Sequence, residues 1–312
     1  MFQFLAPVYL GWALGANDAS NVFGTTVVSR MIRFRTAAVL CAVFVMLGAL
    51  LEGSAGMETL GGLSEFDSTA AVGASLAAAV AVTVMTILSL PVSTSQAVVG
   101  AIIGYGLLDG GVRTDGLLRV LVCWVGTPIG AMLVAVVLYS LLAPIFNWLS
   151  RRMTLYDATL RACLVVVGCY GAYALGANNA ANVSGVFVGA GIVSPLTGAA
   201  IAGASIGFGV LTFSRRVMMT VGKGIIGMNA YTALIVVLSE ALTVHFYAIV
   251  GVPVSTSQAV VGAAVGVGIL KSVETVRTRA LVGILAGWLA TPAIAGLCAV
   301  ALYFVMHLHF VR

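Results

Sequence analysis

The sequence predicts an all-α polytopic membrane protein with about ten membrane segments in two inverted-topology repeats. Three observations carry this. Of the 312 residues, 61% are hydrophobic and only 8% charged, against about 25% charged in an ordinary soluble domain, so there is too little polar surface to cover a globule in water. Runs of roughly 20 apolar residues, the length that crosses a bilayer as a helix, recur along the whole chain. Long stretches of the first half return in the second at a nearly constant offset.

The hydrophobic segments fall at roughly 3–28, 36–54, 70–90, 92–108, 117–142, 160–190, 195–213, 224–249, 253–270 and 280–307. The first begins just after Met1 and Phe2, and no Lys or Arg precedes Arg30. A cleavable signal needs a basic start, so this run reads as a retained helix. Basic residues follow the first segment (Arg30, Arg33, Arg35), the fifth (Arg151, Arg152, Arg161), the seventh (Arg215, Arg216, then Lys223) and the ninth (Lys271, Arg277, Arg279, against Glu274). The loop after the second segment holds Glu52, Glu58, Glu65 and Asp67 and no base. The positive-inside rule then places both termini outside the cytoplasmic (inner) membrane. It also accounts for the net charge of +5 without a nucleic-acid partner. Segments 92–108 and 253–270 fit re-entrant hairpins as well as full spans. The five cysteines lie scattered in apolar runs without metal-ligand spacing and read as small buried hydrophobes.

The repeat is explicit. "PVSTSQAVVGA" at 91–101 returns letter for letter at 253–263; "METLGG" at 57–62 answers "MMTVGK" at 218–223; "CWVGTPIGAMLVAVVLY" at 123–139 answers "GWLATPAIAGLCAVALY" at 287–303. The chain therefore divides into residues 1–150 and 151–312, with five segments each. An odd number of spans makes the second copy enter from the opposite side, an inverted repeat of the kind secondary transporters use.

Two motif pairs carry the chemistry. "GANDASN" at 15–21 and "GANNAAN" at 176–182 put Asn17, Asp18, Asn21, Asn178, Asn179 and Asn182 inside apolar runs. A carboxylate there is costly and marks an ion or proton pathway. Helix breaks at Gly15 and Gly176 are expected, with both motifs meeting near the midplane in a protected cavity. In "PVSTSQ", Pro91 and Pro253 are expected to open a helix. The hydroxyls of Ser93, Thr94 and Ser95, and of Ser255, Thr256 and Ser257, then sit on its first turn. Free amides, a positive helix end and hydroxyl donors suit a tetrahedral oxyanion. Small hydroxyls also pack between membrane helices without binding anything. Two inverted copies, each paired with a Gly-Ala-Asn motif, favour a binding site.

With these motifs in view, the chain resembles the inorganic phosphate transporter (PiT) family over nearly its whole length. The resemblance implies cation-coupled uptake of phosphate, with sodium or protons as the coupling ion, no further cofactor, broken or re-entrant helices around the site, and often a homodimer. It points to the hydroxyl runs with Asn17 and Asn178 for the substrate, and to Asp18, Asn21, Asn179 and Asn182 for the cation. Gln96, Gln258 and Glu240 are further candidates. The chain departs from the family pattern where Asn179 replaces an acid, where Ser95-Gln96 and Ser257-Gln258 replace Thr-His, and where a central hydrophilic loop is missing between 143 and 159. The lost carboxylate keeps a sulfate permease of the same family as an alternative.

Other polar residues divide less sharply. Glu240 either faces the cavity or snorkels to the outer surface near His245. Lys223 reads as a cytoplasmic anchor, the matched Trp124 and Trp288 as paired packing, and His307 and His309 as interface markers. An anion channel would use similar dipoles but needs a continuous pore. A membrane enzyme needs a base or metal cluster that the sequence does not supply, so the reading is a non-enzyme embedded in lipid.

Overall fold

The computed structural model describes residues 2–87, 92–109, 111–224, 229–271 and 278–310, with the side chains of 2, 220–224, 278–284 and 308–310 excepted. Pro91, Glu274, Arg277 and the side chains of Lys223, Arg279 and His309 lie outside the described residues. After a short turn at Phe2–Phe4, the described residues form eleven α-helices and no strand. They are α1 (Leu5–Val28), α2 (Phe34–Glu52), α3 (Ala55–Gly61), α4 (Ser68–Ile87), α5 (Thr94–Asp109), α6 (Thr114–Leu149), α7 (Met153–Gly189), α8 (Pro195–Gly224), α9 (Ala230–Val250), α10 (Thr256–Lys271) and α11 (Thr278–Phe310).

Seven of these, α2, α4, α6, α7, α8, α9 and α11, are long and apolar enough to cross a membrane. Helix α1 has the length, at 24 residues, but Asn17, Asp18 and Asn21 dilute its hydropathy. Helices α5 and α10 have 16 residues each. At 1.5 Å per residue that is about 24 Å, short of a hydrocarbon core of about 30 Å.

Three sequence expectations are corrected. Helices α1 and α7 run unbroken through Gly15 and Gly176. These glycines serve close packing instead: a Cβ on Gly15 would overlap the Ile206 carbonyl of α8, and one on Gly176 the Val45 carbonyl of α2. Small residues let membrane helices approach this closely. The interruptions fall instead around the Pro-Val-Ser motifs. There Pro253 does not open α10, which starts three residues later at Thr256. Finally, α6 continues through Pro144 to Leu149 and α7 starts at Met153, where the apolar runs end near 142 and resume near 160. Hydropathy marks where lipid contact ends, not where helical hydrogen bonding ends. The seven-residue α3 was too short to register as a segment.

Local signals place the second interruption. Gly251, with φ 77°, takes the left-handed conformation that closes α9, and its amide and that of Val252 turn back to Ala248 O and Tyr247 O. An L side chain is strained there, which is why glycine suits a helix C-terminus. Asn229 caps the other end of α9 by accepting the Thr232 amide at 2.9 Å.

The packing crosses between halves. Helix α1 packs most extensively on α8, and α2 on α7; α5 packs on α11, and α10 on α6. Within each half, α4 packs on α1 and α5, and α9 on α7 and α10. Gly100 of α5 lies against the Pro292 backbone of α11, as Gly262 of α10 lies against Pro128 of α6. The core these contacts enclose is rich in Ala, Val and Leu and continuous around α1, α2, α4, α5 and α7.

Candidate functional site

Where α4 gives way to α5, and α9 to α10, non-helical residues lead into two short helices whose first turns carry the hydroxyls. Ser93 and Ser255 act as N-caps: Ser93 Oγ accepts the Gln96 amide at 3.4 Å and Ser255 Oγ the Gln258 amide at 3.2 Å. The remaining amides of these first turns have no intrahelical acceptor. The two turns are stitched together reciprocally. Ser95 Oγ donates to the Val254 carbonyl at 2.9 Å, and Ser257 Oγ to the Val92 carbonyl at 2.8 Å.

Helices α1 and α7 bring their amides and carboxylate to the same place. Thr94 Oγ1 donates to Asp18 Oδ2 at 3.4 Å, and Asn17 Nδ2 to Asp18 Oδ1 at 3.2 Å. Thr256 also stands beside Asp18, and Asn21 Nδ2 donates to Thr256 Oγ1 at 3.2 Å. On the α7 side, Asn182 Nδ2 donates to Ser95 Oγ at 2.9 Å and to Asn179 Oδ1 at 2.7 Å. Asn179 Nδ2 returns to the Leu175 carbonyl at 3.1 Å. Thus the polar network is made of neighbouring hydrogen-bonded parts: Asn17, Asp18 and Thr94; Asn21 and Thr256; and Asn179, Asn182, Ser95 and Asn178 linked through the Val254 carbonyl, with Ser257 tied to Val92. Asp18, Ser93, Thr94, Ser95, Gln96, Asn178, Asn179, Asn182, Ser255, Thr256 and Gln258 are all buried. Asn17, Asn21 and Ser257 are half-buried.

The two halves of the site are not equivalent. Asn178 grips Val254 from both sides, donating to its carbonyl at 2.8 Å and accepting its amide at 2.9 Å. Its counterpart Asn17 instead turns to the neighbouring Asp18. Half-buried residues continue along α1 as Asn17, Asn21, Thr25 and Val28, ending beside Arg30. The matching positions Asn178, Asn182 and Val186 of α7 are buried.

Several acceptors in the site have no donor: Asn182 Oδ1, Gln96 Oε1 and Gln258 Oε1. A buried acceptor left so is costly, and a cation or a protonated ligand would satisfy it. Among the described residues no three His, Cys, Asp or Glu side chains converge, so an oxygen-seeking ion would rely on Asp18, amide oxygens and hydroxyls.

Glu240 is apart from this network. It is 0% exposed and neither carboxylate oxygen has a partner, so it does not snorkel to the surface near His245. His245 instead bonds Glu52 at 2.6 Å through Nε2 and Tyr170 at 2.8 Å through Nδ1, joining α2, α7 and α9. Sequence reading missed this cluster. Its signal was a lone His and Glu at the ends of apolar runs, which periodicity cannot pair across 193 residues.

The chain is similar to known proteins over nearly its whole length. The model of the phosphate transporter family matches residues 14–299. A candidate phosphate permease of Methanocaldococcus jannaschii is 29% identical, covering 94% of this chain and 93% of its own. A sulfate permease of Bacillus subtilis, CysP, is 28% identical over 92% of this chain and 82% of its own. Among solved structures, a sodium-dependent phosphate transporter has the same fold, with a TM-score of 0.88, 24% identity and 98% of each chain covered.

Proposed function

The chain belongs to the phosphate transporter family, and from that premise we propose that it is a secondary transporter carrying inorganic phosphate across the cytoplasmic membrane together with a cation. The observation that carries the reading is the convergence of two hydroxyl-bearing helix N-termini, α5 and α10, on one buried carboxylate between α1 and α7. Helix N-termini and hydroxyls bind the oxyanion; Ser93, Thr94, Ser95, Ser255, Thr256 and Ser257 supply them, with Asn17 and Asn178 alongside. Asp18, Asn21, Asn179 and Asn182 hold the cation, which offsets the anion's charge so that neither crosses efficiently alone.

The halves 1–150 and 151–312 act as inverted repeats about this site. The support is the exchange of partners, α1 on α8 against α2 on α7, and α5 on α11 against α10 on α6. Both termini lie outside, since Arg30, Arg33, Arg35, Arg151 and Arg152 fall at the opposite helix ends from Glu58, Glu65 and Asp67.

Sulfate is the second reading, favoured by the CysP relative. Phosphate fits the site better. Near neutral pH phosphate keeps a proton to donate and sulfate has none. The unpartnered acceptors Gln96 Oε1, Asn182 Oδ1 and Gln258 Oε1, beside Asp18, suit an anion that donates. Uptake into proteoliposomes, with phosphate against sulfate and a sodium against a proton gradient, tests this. Phosphate counterflow in those vesicles distinguishes a carrier from a channel. Sulfate uptake that phosphate fails to inhibit would overturn the substrate assignment.

A further inference from the structure

Glu240 lies at the middle of α9, one helix away from the second Gly-Ala-Asn motif, and is wholly buried with both oxygens unpartnered. In the register that aligns Pro91 with Pro253, its counterpart in the first half is Ala78, so the carboxylate is peculiar to one half. It faces α7 at Gly171, where a Cβ would stand in ordinary contact, 3.7 Å from Glu240 Oε2.

An ionised carboxylate sealed in apolar surroundings is strongly unfavourable unless paired. Among the described residues Glu240 has no basic partner. Nor do its surroundings fit a metal ion, which needs several oxygen ligands. The nearby hydroxyls on its own helix are turned to backbone: Ser239 Oγ donates to the Ile235 carbonyl at 2.7 Å and Thr243 Oγ1 to the Ser239 carbonyl at 2.8 Å. The one cation these surroundings accept is a proton. In its electrostatic range lie Asp18 on α1, Cys41 on α2 and Tyr170 on α7. Further along α9, His245 is engaged with Glu52 and Tyr170. Of the other helices packed on α9, α3 carries the exposed Glu58, α6 the thiol of Cys123 near Tyr247, and α10 ends in Lys271.

We propose that Glu240 is a proton-binding site of the transport cycle, holding a proton in the closed arrangement seen here and releasing it to water when the cycle opens the cavity. Only an O–H bond breaks, leaving the carboxylate and a hydrated proton. The inference rests on the phosphate-transport reading above.

Two measurements test it. Infrared spectra of the intact protein near neutral pH, with and without ¹³C-glutamate labelling, read the carboxylic-acid C=O stretch. Glu52, Glu58 and Glu65 are exposed or half-exposed, and a label-sensitive acid band is assigned to Glu240 by its disappearance in Glu240→Gln. In proteoliposomes, wild type should acidify the lumen as phosphate enters. Glu240→Gln, which mimics the protonated form, should lose at least tenfold of that proton movement per phosphate while still exchanging phosphate in counterflow, and Glu240→Asp should recover part of it. Absence of a label-sensitive acid band in wild type would overturn the inference without reliance on any variant. So would unchanged proton movement in Glu240→Gln, loss of its counterflow as well, or wild-type phosphate counterflow with no coupled protons. Wild type without phosphate counterflow would sink the transport reading itself.

Discussion

Replacing Asp18 with Asn removes the one carboxylate in either Gly-Ala-Asn motif while keeping nearly the same shape. Asp18 is 2% exposed, with Oδ1 held by Asn17 at 3.2 Å and Oδ2 by Thr94 at 3.4 Å. A cation resting about 4 Å from this charge gains roughly 4 kcal/mol at an effective dielectric near 20, about a thousand-fold in affinity. Asn keeps one oxygen acceptor, so the Thr94 bond survives in weaker form and the fold should persist. The half-saturating cation concentration for phosphate uptake should rise by about two to three orders of magnitude, and accumulation against a gradient should collapse. Labelled-phosphate uptake into proteoliposomes, titrated with sodium at fixed pH and with pH at fixed sodium, gives the number directly. The converse change, Asn179→Asp, should alter the charge moved per cycle. If Asp18→Asn accumulates phosphate with a half-saturating concentration within threefold of wild type, the cation is not held there and the reasoning fails.

Three further outcomes follow from the geometry. Ser93→Ala or Ser255→Ala should weaken phosphate transport about ten- to a hundred-fold, since a hydrogen bond to a charged group is worth roughly 1.5–3 kcal/mol; unchanged uptake kinetics in both would move the anion elsewhere. Asn178→Ala strands the amide of Val254 and leaves its carbonyl to Ser95 Oγ alone and should cost about 1–3 kcal/mol, seen as a lower melting temperature in detergent. Asn17→Ala should shift melting far less, and equal shifts would refute the inequality of the two half-sites. A single introduced cysteine beside Glu65 should label from outside and one beside Arg215 from inside; labelling from one side at both would end the inverted arrangement.

Much of this was legible in the residues themselves. The Pro-Val-Ser repeats marked helix interruptions, because Pro disfavours helix before it; that Ser255, not Pro253, leads into α10 was not read. The polar runs at Asn17–Asn21 and Asn178–Asn182 marked the candidate site, because amides in hydrocarbon are costly. Other features were not legible. Gly15 and Gly176 read as breaks, since a sequence does not say which neighbour a glycine admits; here they admit the carbonyls of Ile206 and Val45. The burial of Glu240 and the pairing of His245 with Glu52 depend on which helices meet, and hydrophobic period cannot set that. Asn178 grips Val254 while Asn17 turns to Asp18, although the two motifs begin with the same three letters, because partners are set by tertiary packing.

The crossing of partners shapes how the chain is made. Helix α1 emerges from the ribosome long before α8, the helix it packs on most. Until then Asp18 must be sheltered from lipid without Thr256, which is translated later still. The first half therefore cannot finish as a separate unit and must wait, held beside the insertion machinery, for the second to arrive. Truncation after the first half would leave a polar α1 without α8, its main partner, the kind of segment that membrane quality control removes. Two separately expressed halves, by contrast, carry complementary faces and should assemble into one body.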